Sequence, residues 1–149
     1  MVLQTTRFLG VVLTALALVP AGAHLFELPN KIGLSQEHYF IVQGIYRGWA
    51  LFGLVLFPAV IVDLVLAILQ RHRPAAFWLA LAGFLAMAAT LAIFFTWTYP
   101  ANVATSNWTL APADWADLRR HWEYAHATNA VLTFVALCAV TLSVLASRD

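Results

Sequence analysis

Four apolar stretches alternate with polar connections along the chain. They run from Phe8 to Phe26, Trp49 to Leu69, Ala75 to Trp97 and Ala130 to Ala146. About 20 apolar residues are needed for a helix to cross roughly 30 Å of hydrocarbon. The first three stretches meet that length; the fourth reaches it when extended back through Ala125 to Asn129. No stretch keeps the strict alternation of an outer-membrane barrel. The pattern predicts an all-α integral membrane protein, a single domain of four transmembrane helices at about 7–27, 36–70, 75–98 and 113–147. Arg7, the apolar core and Ala21-Gly22-Ala23 also have the layout of a signal peptide; we read the first stretch as a retained helix.

The connections are unequal. Gln70 to Pro74 makes a tight turn between helices two and three, which forces them antiparallel. Glu27 to Gly48 and Thr98 to Asn129 are longer and fall at the opposite end. Ser35 can cap a helix with Glu37 in its first turn, so helix two is expected to begin near Gln36. Pro112, Asp114 and Asp117 read as the first turn of helix four. Helices two and four should therefore project beyond the bilayer on the extracytoplasmic side. Lys and Arg divide evenly between the ends: Arg7, Arg71, Arg73 and Arg148 against Lys31, Arg47, Arg119 and Arg120. The positive-inside rule does not decide orientation on that count. Arg7 ahead of the first apolar run favours cytoplasmic termini, in a bacterial inner membrane.

Composition sharpens this picture. Of 149 residues, 62% are hydrophobic and only 10% charged, against about 25% charged in soluble domains. A formal net charge of +1 excludes the basic surface a nucleic-acid partner needs. The single cysteine, Cys138, excludes an intrachain disulfide and a Cys-based metal cage.

Candidate chemistry gathers at the long-loop end: His24 and Glu27; Tyr39, Gln43, Tyr46 and Arg47; Thr96, Trp97 and Tyr99; Arg119, Trp122, Glu123, His126 and Asn129. Ionisable groups near hydrocarbon are expensive and usually mark a function. His24 and Glu27 share a helix face, as do Glu123 and His126. Trp115, Arg119, Trp122, His126 and Asn129 form one helical stripe. Glu123-x-x-His126 matches the Glu-x-x-His element of di-metal helix bundles, but the further glutamates of such sites are missing. A mononuclear set of His24, Glu27, Glu123 and His126, holding a metal such as iron, is one reading. Metal-free acid–base chemistry, with His126 as base and Glu123 orienting it, is a second. Ion pairs and hydrogen bonds that merely lock the helices together, among them Arg119–Glu123–His126, are a third. Asp63 stands apart in the other half of helix two, with Arg7, Thr141 or Ser143 as expected partners. Trp49, Trp78, Trp97, Tyr99 and Trp108 fit interfacial aromatic belts, and Trp115 and Trp122 could clamp an aromatic ligand. The small residues of Leu79 to Ala89 could pack against a partner or a second copy.

The segments Leu28-Pro29-Asn30-Lys31-Ile32, Tyr46-Arg47-Gly48, Thr98-Tyr99-Pro100-Ala101-Asn102, Asn107-Trp108 and Arg119-Arg120-His121-Trp122-Glu123-Tyr124-Ala125-His126 resemble the anthrone-oxygenase-like family of small four-helix membrane proteins. The resemblance implies four membrane helices and, for some members, oxidation of a polycyclic anthrone to a quinone with dioxygen. It draws attention to Trp108, Trp122, Glu123, His126 and Asn129 and leaves the cofactor open. The expectation is a membrane oxidoreductase with His24, Glu123 and His126 as catalytic residues. Tyr46, Arg47, Trp97, Trp108, Trp122 and Asn129 would contact a lipophilic aromatic substrate. The alternative is a non-catalytic subunit or hydrophobic-ligand binder, as a homo-oligomer or within a larger membrane complex.

Overall fold

The computed structural model describes residues 1–147; Arg148, counted above among the basic residues of the short-turn end, lies outside them. The chain is an all-α four-helix bundle. Helix α1 is Val2–Lys31, α2 Gln36–Gln43, α3 Gly53–Leu69, α4 Pro74–Ile93, α5 Tyr99–Ala104 and α6 Trp115–Leu145. The segments Val2–Lys31, Trp49–Leu69, Pro74–Ala104 and Trp115–Leu145 are long and apolar enough to cross a membrane. Around the bundle, α1 packs on α3 and α6, and α4 packs on α3 and α6. Large apolar side chains such as Leu16, Leu54, Ile61, Trp78 and Phe134 point outward and are exposed. In lipid those positions need no protein partner, because acyl chains are as apolar as they are.

Two departures from uniform helices shape the long-loop end. The second helix is not continuous from Gln36. Ser35 Oγ accepts the His38 N–H at 3.4 Å and starts α2, but α2 gives way after Gln43 to a 3-10 turn, Gly44–Tyr46. Gly48 then takes a left-handed φ of 88° before a second 3-10 turn, Trp49–Phe52, leads into α3. A side chain at such a φ costs about 1–2 kcal/mol, so glycine suits the reversal. The third helix passes through a π-helical segment, Phe94–Thr98, before α5. Asn129 Nδ2 on α6 donates to the Thr90 carbonyl one turn ahead of it, at 3.2 Å. Helix α1 also runs one turn further than expected, to Lys31.

The core is thin and built on small residues. One layer of Ala17, Ala59, Met87 and Ala136 occupies the middle of the bundle. A second layer of Leu66, Ala67, Ala80 and Val140 lies nearer the short turn. Several small residues of α4 are turned inward: Ala76, Ala80 and Gly83 are buried, and Gly83 lies against Val140 and the Ala136 carbonyl. A Cβ on Gly83 would stand 2.6 Å from Val140 Cγ2. Gly83→Ala should therefore destabilise the bundle by about 1–3 kcal/mol through overpacking, and Val140→Ala in the same chain should restore part of it. Thermal unfolding in detergent measures both; an unaffected Gly83→Ala variant would contradict this close approach of α4 and α6.

Candidate functional site

The long-loop end is organised around Lys31, the last residue of α1. Its side chain is buried although it ends a helix, at 3% exposure. Its ammonium lies 3.0 Å from Oε1 of Glu123, which is fully buried on α6, and 3.8 Å from Glu27 one turn back on α1. It donates to the Tyr46 hydroxyl at 2.5 Å. The rings of Tyr46 and Trp122 sit 4.3 and 4.9 Å from the ammonium, close enough for cation–π attraction.

Both tyrosines of the connecting segment serve this centre. Tyr39, fully buried, donates its hydroxyl to Glu123 Oε1 at 2.9 Å and accepts from Gln43. Tyr46 donates to Glu27. Burial, together with the neighbouring carboxylates, raises both phenols above their ordinary range; burial is the larger cause for each, Glu123 adds to it at Tyr39, and Glu27 at Tyr46. They act as neutral donors at neutral pH.

Behind this network two imidazoles stack. His24 of α1 and His126 of α6 lie with ring centroids 3.9 Å apart, tilted by 26°. Tyr46, Trp49 and Trp122 wall His24 at 4.5, 5.3 and 5.1 Å. The Gly48 reversal is what brings Tyr46 and Trp49 to the same imidazole from either side of the break. His24 Nδ1 and Glu123 Oε2 are both buried without a hydrogen-bond partner.

A clasp closes the adjoining side. Asn102 Oδ1 accepts from Trp108 Nε1 at 3.1 Å and from Trp122 Nε1 at 2.9 Å. Ser106, Asn107 and Trp108 follow one another at φ of 48°, 57° and 63°. Three consecutive non-glycine left-handed residues are costly; here they drive the Trp108 ring into the core formed with Tyr39, Ala101 and Trp122.

Several sequence expectations are redrawn by this geometry. His24, Glu27, Glu123 and His126 share one end of the bundle, but among the described residues no three His, Cys, Asp or Glu side chains are grouped to hold a metal ion. The Lys31 ammonium already lies against both carboxylates, and a cation between them would have to displace it. Glu123 addresses Lys31 and Tyr39 rather than orienting His126. Arg119 pairs with neither Glu123 nor His126; it donates to the Leu34 carbonyl at 2.7 Å and stacks over Trp115 at 4.7 Å. Tyr46, Trp108 and Trp122 stand at the cluster. Arg47 is exposed at the chain reversal, and Asn129 faces Thr90 on α4. Trp97 is 46% exposed; it lines an open depression of about 500 Å³ with Ile93, Arg120, His121, Tyr124, Ala125 and Thr128.

Lys31 and Asn102 were not among the expected site residues. The Glu27–Lys31 spacing of four was a signal for Lys31, masked by placing it in a loop. Asn102 carried no such signal, because its partners lie six and twenty residues away. No family model matches the chain. No curated protein and no solved structure matches it either.

Two predictions follow from the network's electrostatics. Lys31→Met leaves the Glu123 carboxylate buried and uncompensated and should cost about 3–5 kcal/mol; adding Glu123→Gln should recover most of that loss in thermal unfolding. Tyr39 and Tyr46 should stay protonated a pH unit above the ordinary tyrosine value of about 10, so Tyr39→Phe or Tyr46→Phe should not reduce the tyrosinate absorbance measured there. The sign for stability is also fixed: with folded-state values raised, these phenols favour the fold fully below the ordinary value. That contribution declines as pH rises above it, because the unfolded chain ionises first.

Proposed function

We propose that the protein is a membrane oxidoreductase whose long-loop cluster takes a proton from a lipophilic, anthrone-like aromatic and commits it to reaction with dioxygen. The observation that carries this reading is the pair of unpartnered buried acceptors, His24 Nδ1 and Glu123 Oε2, in one aromatic-walled cluster. A buried polar atom without a partner costs about 1–3 kcal/mol, and such atoms in a folded protein call for an explanation; a substrate hydroxyl, which donates, would supply one. The resemblance to the anthrone-oxygenase-like family points to the same chemistry.

In this reading His126, half-buried at the edge of the stack, is the base. It removes a proton from the methylene between the aromatic rings. The resulting carbanion, delocalised as an anthracenolate, gives its electrons to dioxygen. The net change converts the methylene to a carbonyl: one dioxygen is consumed, one of its oxygen atoms enters the product and the other leaves in water. Lys31, already engaged by Glu123 and Glu27, holds the carboxylates of the cluster in place. Tyr46 and Trp122 hold the flat ring system. No step is routed through a metal.

A second reading is favoured by the same ion pairs. Lys31, Glu123, Glu27 and both tyrosines satisfy most of one another's polar groups, as a clamp between α1 and α6 would. On that reading the protein is a non-catalytic subunit or a binder of a hydrophobic molecule. The two readings part on turnover of anthrone by purified protein in lipid nanodiscs, followed as oxygen uptake and quinone absorbance. The enzyme reading expects catalysis that His126→Ala lowers by roughly 100-fold or more, the usual contribution of a general base. Absence of turnover in the unmodified chain, or a His126→Ala variant as fast as it, would sink that reading. Elemental analysis of the same sample tests metal content separately.

A further inference from the structure

The bundle holds a second buried carboxyl, far from the long-loop cluster. Asp63 on α3 is fully buried in the short-turn half of a span. Thr14 Oγ1 of α1 donates to its Oδ2 at 3.1 Å, and its Oδ1 has no partner. The expected partners Arg7, Thr141 and Ser143 do not bond to it. Oδ1 instead abuts apolar surface: a Cβ on Gly10 would lie 3.2 Å from it, 3.4 Å from Val140 and 3.6 Å from Leu66.

Every element packed there leaves this carboxyl without a counter-charge; α4, packed on α3, carries no ionisable side chain. From α1 it meets Gly10 and Thr14. Arg7, one turn nearer the helix end, sends its guanidinium to the Ser147 carbonyl at 3.1 Å, and Arg73 also donates to that carbonyl. On α6, Ser143 accepts from Gln70 at 2.9 Å. Gln70 shares the α3 face of Asp63 two turns away, and its Oε1 is likewise buried without a partner. Among the described residues no ion pair reaches Asp63. An isolated carboxylate in apolar surroundings is so costly that it takes up a proton instead.

We propose that Asp63 is a proton-binding site of the bundle, separate from the long-loop cluster. The proton rests on the carboxyl beside Thr14. Toward the short turn the layer of Leu66, Ala67, Ala80 and Val140 separates it from Gln70 and Ser143. In the other direction the layer of Ala17, Ala59, Met87 and Ala136 separates it from His24 and Glu123.

The test uses the full chain in lipid nanodiscs. Infrared difference spectra should contain a protonated-carboxyl stretch at neutral pH that Asp63→Asn removes. Thr14→Val keeps the carboxyl but deletes its hydrogen-bond donor, and should shift that stretch; it serves where Asp63→Asn fails to fold. Dicyclohexylcarbodiimide supplies a second readout. The protonated acid adds across its N=C bond, oxygen to carbon and proton to nitrogen, and the adduct rearranges to an N-acylurea with nothing leaving. Mass spectrometry should find it on the peptide carrying Asp63 and lose it in Asp63→Asn. No carboxyl stretch that responds to either substitution, together with an unlabelled Asp63, overturns the proposal.

Discussion

A lysine ammonium buried at the end of α1 must be neutralised where it stands, and the long-loop end is built around that requirement. Glu123 reaches it from α6, Glu27 from the preceding turn and Tyr46 from the reversal after α2. Tyr39 and Gln43 complete the shell on the far side of Glu123. Each of these contacts dictates a backbone feature. Helix α1 has to run on to residue 31, past Pro29. The chain between α2 and α3 has to reverse at Gly48. Asn102 and Trp108 have to hold Trp122 against the ammonium. A buried pair of this kind adds little net stability, because desolvation offsets the Coulomb attraction. Its consequence is geometric: it leaves few arrangements of α1 and α6 in which both charges are satisfied.

That matters more in a membrane than in water. The lipid is as apolar as the helix faces, so burial does not favour one helix register over another. Register has to come from directional contacts and from close approaches. Lys31–Glu123 supplies it at one end, and Gln70–Ser143 with Arg7 on the Ser147 carbonyl at the other. Between them the contact of Gly83 with Val140 and the Ala136 carbonyl fixes the depth to which α4 and α6 interlock. The short-turn end thus has a hydrogen-bonded structure of its own.

The helices were legible in the sequence for a simple reason: hydrophobic length is a property of consecutive residues. The crowding of polar groups at one end was legible too, since helix ends and loop lengths place them there. The pairing among them was not. Glu123 and His126 share a face by spacing, yet the carboxylate turns to a lysine ninety-two positions earlier, and spacing along one helix carries no information about that choice. Helix two read as continuous because Tyr39, Gln43 and Tyr46 keep helical steps, while Gly44 and Gly48 break it locally. For Asp63, Thr14 was overlooked because its neighbours in sequence are apolar, and a hydroxyl partner leaves a weaker mark than a charged one.

Polar chemistry therefore occupies both ends of the bundle, and an apolar layer lies between Asp63 and the long-loop end. The layer is made of Ala17, Ala59, Met87 and Ala136, three of them too small to carry any polar atom across it. Among the described residues no side-chain hydrogen bond crosses that layer between Asp63 and His126. Helices α1 and α6 span both regions and each carries residues of both: Thr14 and His24 on one, Ser143 and Glu123 on the other.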